Sequence, residues 1–327
     1  MAVASLRPIG LVSVALTLLL LIAGIAYANL QHIPMTAAGP VLVALILEVL
    51  LYHAAGTVEI RTKLEQLPPA LLAALMTVTA GVPYLIYAVP TGLYSTQRFA
   101  TLLLLALMAS FWYVVLPRRA IFDILYLVFL GAIYITKSFH ALYPEPWDHT
   151  YASVLGTLMW IRTGMLAVLS LRKMTGIGFG FVPRSEDWSV GFRNYLYFLP
   201  GGIGLGLALN FLRPDPVPLD LRTIGLALLT FLVTLWVLAA MEEVFFRGIL
   251  QQIVTKASGS PVAGLLTASV LFGLVHLPYR SFPNWHFAAL ATVAGFFYGR
   301  AFTQAQSVRA SMVTHALVVT TWRVFLA

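Results

Sequence analysis

The feature that most constrains this chain is a series of apolar stretches that recurs from one end to the other. Each is roughly 17–22 residues long, and a helix rising 1.5 Å per residue needs about 20 residues to cross ~30 Å of hydrocarbon. We therefore expect an all-α fold, a polytopic transmembrane helix bundle of about eleven spans. The predicted helices centre on residues 9–28, 36–55, 69–90, 99–116, 120–137, 151–171, 194–212, 221–250, 261–277, 286–304 and 308–325.

Composition supports a membrane protein and narrows its chemistry. Hydrophobic residues make up 60% of the 327 residues and charged residues 10%, whereas soluble domains average about 45–50% and 25%. The absence of cysteine excludes disulfides, thiolate catalysis and sulfur ligands for a metal. The net charge of +8 fits basic loops at an anionic leaflet. We expect the lipid bilayer as a partner and no nucleic acid.

Loop charge predicts the orientation of the bundle. With the N-terminus inside, most Lys and Arg residues, from Arg7 to Arg309, fall in inner segments, and few, among them Arg213, fall in outer ones. This asymmetry predicts a cytoplasmic N-terminus. Ala26-Tyr27-Ala28 resembles a signal cleavage site, but the apolar run before it exceeds a usual signal core, so we expect an uncleaved first span.

The longest polar stretch divides the chain. Residues 1–173 are predicted to form an N-terminal bundle of about six spans, and residues 174–193 a cytoplasmic linker. Residues 194–327 then form a second bundle, which holds the candidate catalytic residues. In the first bundle, Glu48 and Arg162 either pair across two helices or line a substrate path.

Three charged or histidine-bearing blocks lie in the apolar helices of the second bundle. They are Glu242-Glu243-Val-Phe-Phe-Arg247, Phe272-Gly-Leu-Val-His276 and His315-Ala-Leu-Val-Val319. Ionisable groups inside a membrane segment are costly and mark a functional site by default. A carboxylate pair and two histidines on separate helices predict a catalytic or metal site within the bilayer.

Residue spacing places these blocks at one depth. The turn Gly259-Ser260-Pro261 can end one helix and start the next, and Glu242 and His276 are equally far from it along the chain. The position of His315 in the last helix gives a similar depth. Glu243 and Arg247 are four apart, in the orientation of a helical ion pair. Glu242 lies on another face without that partner, which suits a general base. Alternatively, the pair is a structural clamp and the histidines are satisfied core groups.

The blocks resemble the CPBP intramembrane protease family, the CAAX protease and bacteriocin-processing (Abi/Rce1-like) proteins. Glu242, Glu243, Arg247, Phe272, His276 and His315 match the family's motifs in order, over roughly Trp188 to Ala327. The resemblance implies an intramembrane endopeptidase that cleaves a membrane-associated or lipidated protein or peptide, in a bacterial plasma (inner) membrane. It also implies that Glu242 activates water, His276 assists, and His315 stabilises the oxyanion, while Glu243, Arg247 and Phe272 support them.

One position departs from the family pattern. The family has asparagine or a similar polar residue four positions after the last histidine, where this chain has Val319, which donates no hydrogen bond. Losing such a donor typically costs ~10²–10³ in rate. This admits a slow protease, a substitute donor at Thr320 or Thr321, or an inactive relative that acts as a scaffold or immunity protein. A transporter is a further alternative, although no inverted repeat is evident.

Two mechanisms fit the same residues. Glu242, His276 and His315 can hold zinc with one open position, as in metalloproteases, or act without metal, with the glutamate as base. No HExxH sequence supports zinc directly. We expect no cofactor, with zinc as the alternative.

Overall fold

The chain is a bundle of α-helices. A computed structural model describes residues 7–212 and 217–326, with side chains from residue 10 onward. Arg213 and the side chain of Arg7, both used in the charge argument, lie outside this part. No strand occurs among the described residues, and each predicted helix is present. The sequence missed two short helices, Val58–Leu64 and Ser138–Leu142. The predicted fold class, an all-α membrane bundle, is confirmed.

The chain divides into two compact units, Met1–Lys173 and Met174–Ala327. In the first unit the helices are α1 Arg7–Leu30, α2 Met35–Gly56, α3 Val58–Leu64, α4 Pro69–Ala88, α5 Thr96–Val115, α6 Ala120–Ile135, α7 Ser138–Leu142 and α8 Ser153–Leu171. In the second unit they are α9 Ser185–Ala208, α10 Leu221–Ser258, α11 Pro261–Leu274, α12 Trp285–Ala305 and α13 Val308–Thr321, with a π-helical turn at Trp322–Leu326.

Within the described residues, six helices are long and apolar enough to cross a membrane by length and composition. They are the stretches Gly10–Leu30, Met35–Gly56, Pro69–Ala88, Thr96–Val115, Ser153–Leu171 and Leu221–Ser258. Helices α6 and α11 are apolar but shorter. Helix α11 has 14 residues and therefore rises only about 21 Å. Some of the eleven predicted helices therefore do not meet these length and composition criteria for crossing a membrane.

A buried ion pair joins α2 and α8 in the first unit. The Arg162 guanidinium donates to both carboxylate oxygens of Glu48, at 2.8 and 3.3 Å, and also to the Thr79 hydroxyl of α4 at 3.2 Å. The side chains of Glu48 and Arg162 are 0% and 2% exposed. Of the two sequence-based alternatives for these residues, pairing across helices is confirmed. Arg162 thus connects α8 to α2 and α4, and its pairing with Glu48 avoids the cost of an unpaired charge inside a membrane.

Helix α9 begins earlier than the sequence predicted. The polar linker was expected to reach residue 193, but α9 starts at Ser185, so the non-helical part of this linker is shorter. The Asp187 carboxylate accepts a hydrogen bond from the backbone N–H of Arg184 at 2.8 Å. Acidic side chains in a first turn, here Glu186 and Asp187, also favour the positive end of the helix dipole. The polar residues Glu186 and Asp187 therefore mark the start of helix α9 and do not belong to a non-helical linker.

The hairpin that connects α10 to α11 forms as the sequence predicted. Gly259 ends α10 in the left-handed region, with φ of 69°, where glycine has no side-chain penalty. The Ser260 hydroxyl accepts from the backbone N–H of Ala263 at 3.2 Å, and Pro261 occupies the first helical position. Within α10, π-helical segments at Thr234–Leu238 and Val244–Gln251 lie on either side of Ala239–Glu243. Such segments often occur at functional sites.

Glycines permit close packing of α11 against its neighbours. A Cβ atom added to Gly273 would lie 2.5 Å from the backbone oxygen of Ala288 in α12. One added to Gly264 would lie 2.7 Å from the backbone oxygen of Gln251 in α10. Small residues of this kind allow helix backbones in membranes to approach closely. The packing brings the carboxyl end of α11 beside α12, where the candidate site lies.

Candidate active site

Arg247 is fixed by a buried carboxylate and a neighbouring helix. Its Nε lies 3.2 Å from Oε2 of Glu243, one turn earlier on α10, and both side chains are fully buried. One terminal nitrogen donates to the Gly295 carbonyl of α12 at 2.9 Å. The guanidinium carbon also lies 4.6 Å from the centre of the Phe272 ring, a cation–π distance. The ion pair expected from the four-residue spacing is present.

His315 stands between the two glutamates. Its Nδ1 lies 2.8 Å from Oε1 of Glu243, and its Nε2 lies 3.9 Å from Oε2 of Glu242. An ionised carboxylate can only accept a hydrogen bond, so Nδ1 carries the proton and donates it to Glu243. In the neutral ring Nε2 is then unprotonated and faces Glu242. Glu243 therefore contacts both Arg247 and His315, a double role that the sequence did not reveal.

Aromatic rings hold the His315 imidazole in its orientation. The Tyr298 ring stacks on it, with centroids 4.4 Å apart and planes inclined by 14°. The Phe272 ring meets the imidazole edge-on, with centroids 5.8 Å apart. Such pairs contribute beyond the area they bury. The orientation of the imidazole is thus set by one hydrogen bond and two rings.

His276 lies just beyond the end of α11. Its Nδ1 is 2.7 Å from the backbone oxygen of Phe272, and since a carbonyl only accepts, Nδ1 carries the proton. The backbone N–H of His276 bonds instead to the Gly273 carbonyl at 3.0 Å. The imidazole also packs against the Phe272 ring, with centroids 4.7 Å apart, as the spacing predicted. In the neutral ring Nε2 is left as an acceptor.

One cavity adjoins both histidines. Its empty volume is about 660 Å³ including the open mouth. His276, Tyr298, His315 and Thr321 are polar members of its lining, which is otherwise largely apolar: Phe198, Leu199, Gly202, Ile203, Phe211, Leu212, Phe272, Phe287, Leu290, Ala291, Ala294, Val318, Val319, Trp322 and Leu326. Glu242 does not line this cavity. Its Oε2 is buried and makes no hydrogen bond within the described residues.

Val319 shares the cavity with His315, as their four-residue spacing predicted. Neither Thr320 nor Thr321 directly replaces the hydrogen-bond donor that Val319 lacks. The Thr320 hydroxyl is buried without a hydrogen-bond partner among the described residues. The Thr321 hydroxyl pairs with the Tyr195 hydroxyl at 2.8 Å. At the position where the family has a polar residue, the cavity wall is therefore formed by the apolar side chain of Val319.

The observed arrangement does not fit the zinc alternative. Within the described residues no three His, Asp or Glu side chains are grouped so that they could hold a metal ion. The Nδ1 atoms of His276 and His315 donate to Phe272 and Glu243, which leaves their Nε2 atoms as the possible metal ligands. A third ligand would have to be Glu242, which lies 3.9 Å from the nearer histidine nitrogen. Zinc would therefore require these side chains to rearrange.

Some participants could not be found from the sequence. Tyr298 is an ordinary aromatic residue in an apolar helix, and no spacing connects it to His315. The Gly295 carbonyl belongs to a helix that carried none of the three blocks. Only the packing of α12 against α11 and α13 brings these groups to the site. The spacing predicted that Glu242, His276 and His315 lie at one depth; the structure places Glu242 3.9 Å from Nε2 of His315 and both histidines in the wall of one cavity.

Comparison with models of protein families gives a match to the second unit. Residues 224–321 match the family model described as type II CAAX prenyl endopeptidase Rce1-like. The match begins in α10 and ends with α13, so it includes Glu242, Glu243, Arg247, Phe272, His276, His315 and Val319. No curated protein and no solved structure matches the chain.

Proposed function

Because residues 224–321 match the family model described as type II CAAX prenyl endopeptidase Rce1-like, we propose that this protein is an intramembrane endopeptidase. Its substrate is a membrane-associated or lipidated protein or peptide. The observation that carries the proposal is the carboxylate of Glu242, whose Oε2 is buried without a hydrogen bond and which has no salt bridge to arginine within the described residues, beside the imidazole of His315. The N-terminus is proposed to be cytoplasmic.

Glu242 acts as the general base in this proposal. Its carboxylate takes a proton from water as the water oxygen attacks the peptide carbonyl carbon, which gives a tetrahedral oxyanion. The C–N bond then breaks and the same proton passes from Glu242 to the leaving nitrogen, so that a carboxylic acid and an amine result. A largely desolvated carboxylate without an arginine partner suits this exchange. Glu243 is unsuited, because Arg247 and His315 both hold it.

The histidines orient water and stabilise charge. His276 presents Nε2 as an acceptor, which can hold the attacking water by its second proton. His315 contacts the oxyanion through Nε2 in its imidazolium form, which carries one proton on Nδ1 and a second, taken up from solvent before the substrate binds, on Nε2. Glu243 supports this role, since its carboxylate accepts the Nδ1 proton and stabilises the charge of the doubly protonated ring.

The apolar cavity supports a substrate that arrives from the membrane. Its walls carry leucine, alanine and aromatic side chains, with few polar groups. An apolar segment or lipid chain placed there would replace contacts with hydrocarbon at little desolvation cost. A soluble polar peptide would lose hydrogen bonds to water in the same place.

The test compares Glu242→Gln with wild type on a prenylated peptide ending in a CAAX sequence, with products identified by mass spectrometry. We expect cleavage by wild type and none by Glu242→Gln, with unchanged thermal unfolding. Glu186→Gln is the matched control, because Glu186 is exposed at the start of α9. Substantial turnover by purified Glu242→Gln would remove this residue from the mechanism. An unprenylated peptide of the same sequence tests whether the lipid is required.

Val319 favours one second candidate, a catalytically inactive relative that acts as a scaffold or immunity protein. Such a protein keeps the fold and tolerates the loss of a hydrogen-bond donor at the oxyanion. Absence of cleavage by wild type with a range of prenylated and unprenylated membrane peptides would support that candidate over the protease.

A further inference from the structure

The site as described has too few hydrogen-bond donors for an oxyanion. His276 and His315 direct their Nδ1 protons to the Phe272 carbonyl and to Glu243. Their Nε2 atoms are acceptors while the rings are neutral. Val319 has no donor at all. Since acyl-transfer sites generally aim several preorganised donors at the developing negative charge, another group is required here.

Among the residues that line the cavity, the remaining candidates are a tyrosine, a threonine and a tryptophan. The Thr321 hydroxyl is engaged with the Tyr195 hydroxyl at 2.8 Å. The indole nitrogen of Trp322 is buried and inaccessible to solvent. The Tyr298 hydroxyl makes no hydrogen bond to any other described residue, so its proton is available to a ligand.

We propose that Tyr298 is a further catalytic residue, whose phenol hydroxyl donates a hydrogen bond to the oxyanion and replaces the donor missing at Val319. This inference rests on the proposed function. Its geometric support is the place of Tyr298 in the cavity wall beside His276 and His315 and the stacking of its ring on His315 at 4.4 Å. An oxyanion that contacts His315 would therefore form next to the phenol.

Tyr298 is held firmly enough for such a role. Its side chain is 2% exposed, and its backbone oxygen accepts from the Ser311 hydroxyl of α13 at 2.8 Å. Its ring meets the Phe272 ring edge-on at 5.8 Å and lies 5.4 Å from the Arg247 guanidinium. A donor fixed before the reaction spends no energy on reorganisation when the charge develops.

The principal variant is Tyr298→Phe, which removes the hydroxyl and keeps the stacked ring. With the prenylated CAAX peptide we expect kcat to fall by ~10²–10³, with KM and the thermal unfolding temperature close to wild type. Tyr87→Phe is the matched control, since it removes a buried tyrosine hydroxyl of the first unit that has no hydrogen-bond partner among the described residues, and it should keep wild-type kcat. Adding Val319→Asn to Tyr298→Phe should restore much of the lost rate.

The outcomes separate the two proposals. Wild-type kcat in Tyr298→Phe, together with loss of activity in Glu242→Gln, would overturn the role of Tyr298 and leave the protease intact. A rise in KM with unchanged kcat would also overturn it, because the phenol would then bind substrate and transition state alike. Equal turnover by wild type and Glu242→Gln would overturn the proposed function and this inference with it.

Discussion

The carboxylate of Glu243 and the imidazole of His315 form a 2.8 Å hydrogen bond between α10 and α13, 72 residues apart in sequence. The same carboxylate pairs with Arg247 one helical turn away. One buried acid thus connects a structural ion pair to a proposed catalytic group. Its neighbour in sequence, Glu242, has no such pair and is proposed as the base.

Arg247→Ala is expected to destabilise the protein. It leaves Glu243 buried with only the histidine as partner, and breaking a buried pair in this way costs ~3–5 kcal/mol. Thermal unfolding in detergent measures the loss. The double variant Glu243→Leu with Arg247→Leu, which removes both charges, should regain stability but remain inactive, because His315 then lacks its Nδ1 acceptor. A wild-type melting temperature for Arg247→Ala would contradict the buried pair.

Val319→Asn is expected to raise peptidase activity. A recovered oxyanion donor is worth roughly 2.7–4 kcal/mol at the transition state, and Val319 lines the same cavity as His315. If Tyr298 already donates to the oxyanion, the gain is smaller in wild type than in the Tyr298→Phe background. Cleavage of one prenylated peptide by wild type, Val319→Asn and Val319→Leu measures it. Equal activity in all three would show that position 319 does not reach the oxyanion.

Gly273→Ala is expected to lower both stability and activity. The added methyl would lie 2.5 Å from the backbone oxygen of Ala288 and also meet Thr292, so α11 must move from α12. Overpacking of this kind costs ~1–3 kcal/mol, and the movement displaces the adjacent Phe272. Gly201→Ala is the control, because a Cβ there meets no atom within 4 Å. Matching unfolding curves for the two variants would argue against close packing at Gly273.

Treatment with a strong zinc chelator is expected to leave activity unchanged. Within the described residues no three His, Asp or Glu side chains are grouped to hold a metal ion, and Glu242 stands 3.9 Å from the imidazole of His315 rather than sharing a ligand set with it. Activity is measured after dialysis against the chelator and again after zinc is returned. Loss that zinc alone restores would establish a metal-dependent enzyme and a rearranged site.

Much of the fold followed from the sequence because hydrocarbon imposes one length and one kind of residue on each helix. The hairpin at Gly259 and the Glu243–Arg247 pair also followed, since both depend on local spacing. The predicted start of α9 was wrong, because Glu186 and Asp187 were assigned to the linker although they favour a helix start. Contacts of Tyr298 with His315 depend on how α12 packs against α13, and no local pattern encodes that packing.

The bond from His276 to the Phe272 carbonyl gives one side chain two roles, since it completes the last turn of α11 as well as orienting the imidazole. An alanine scan would confuse these roles, because loss of activity at position 276 could follow from an unsatisfied carbonyl in a membrane as readily as from lost chemistry. His276→Asn separates them: its amide nitrogen can stand where Nδ1 stands and keep the turn, while nothing replaces Nε2. The interpretability of mutagenesis at this position thus depends on the choice of replacement.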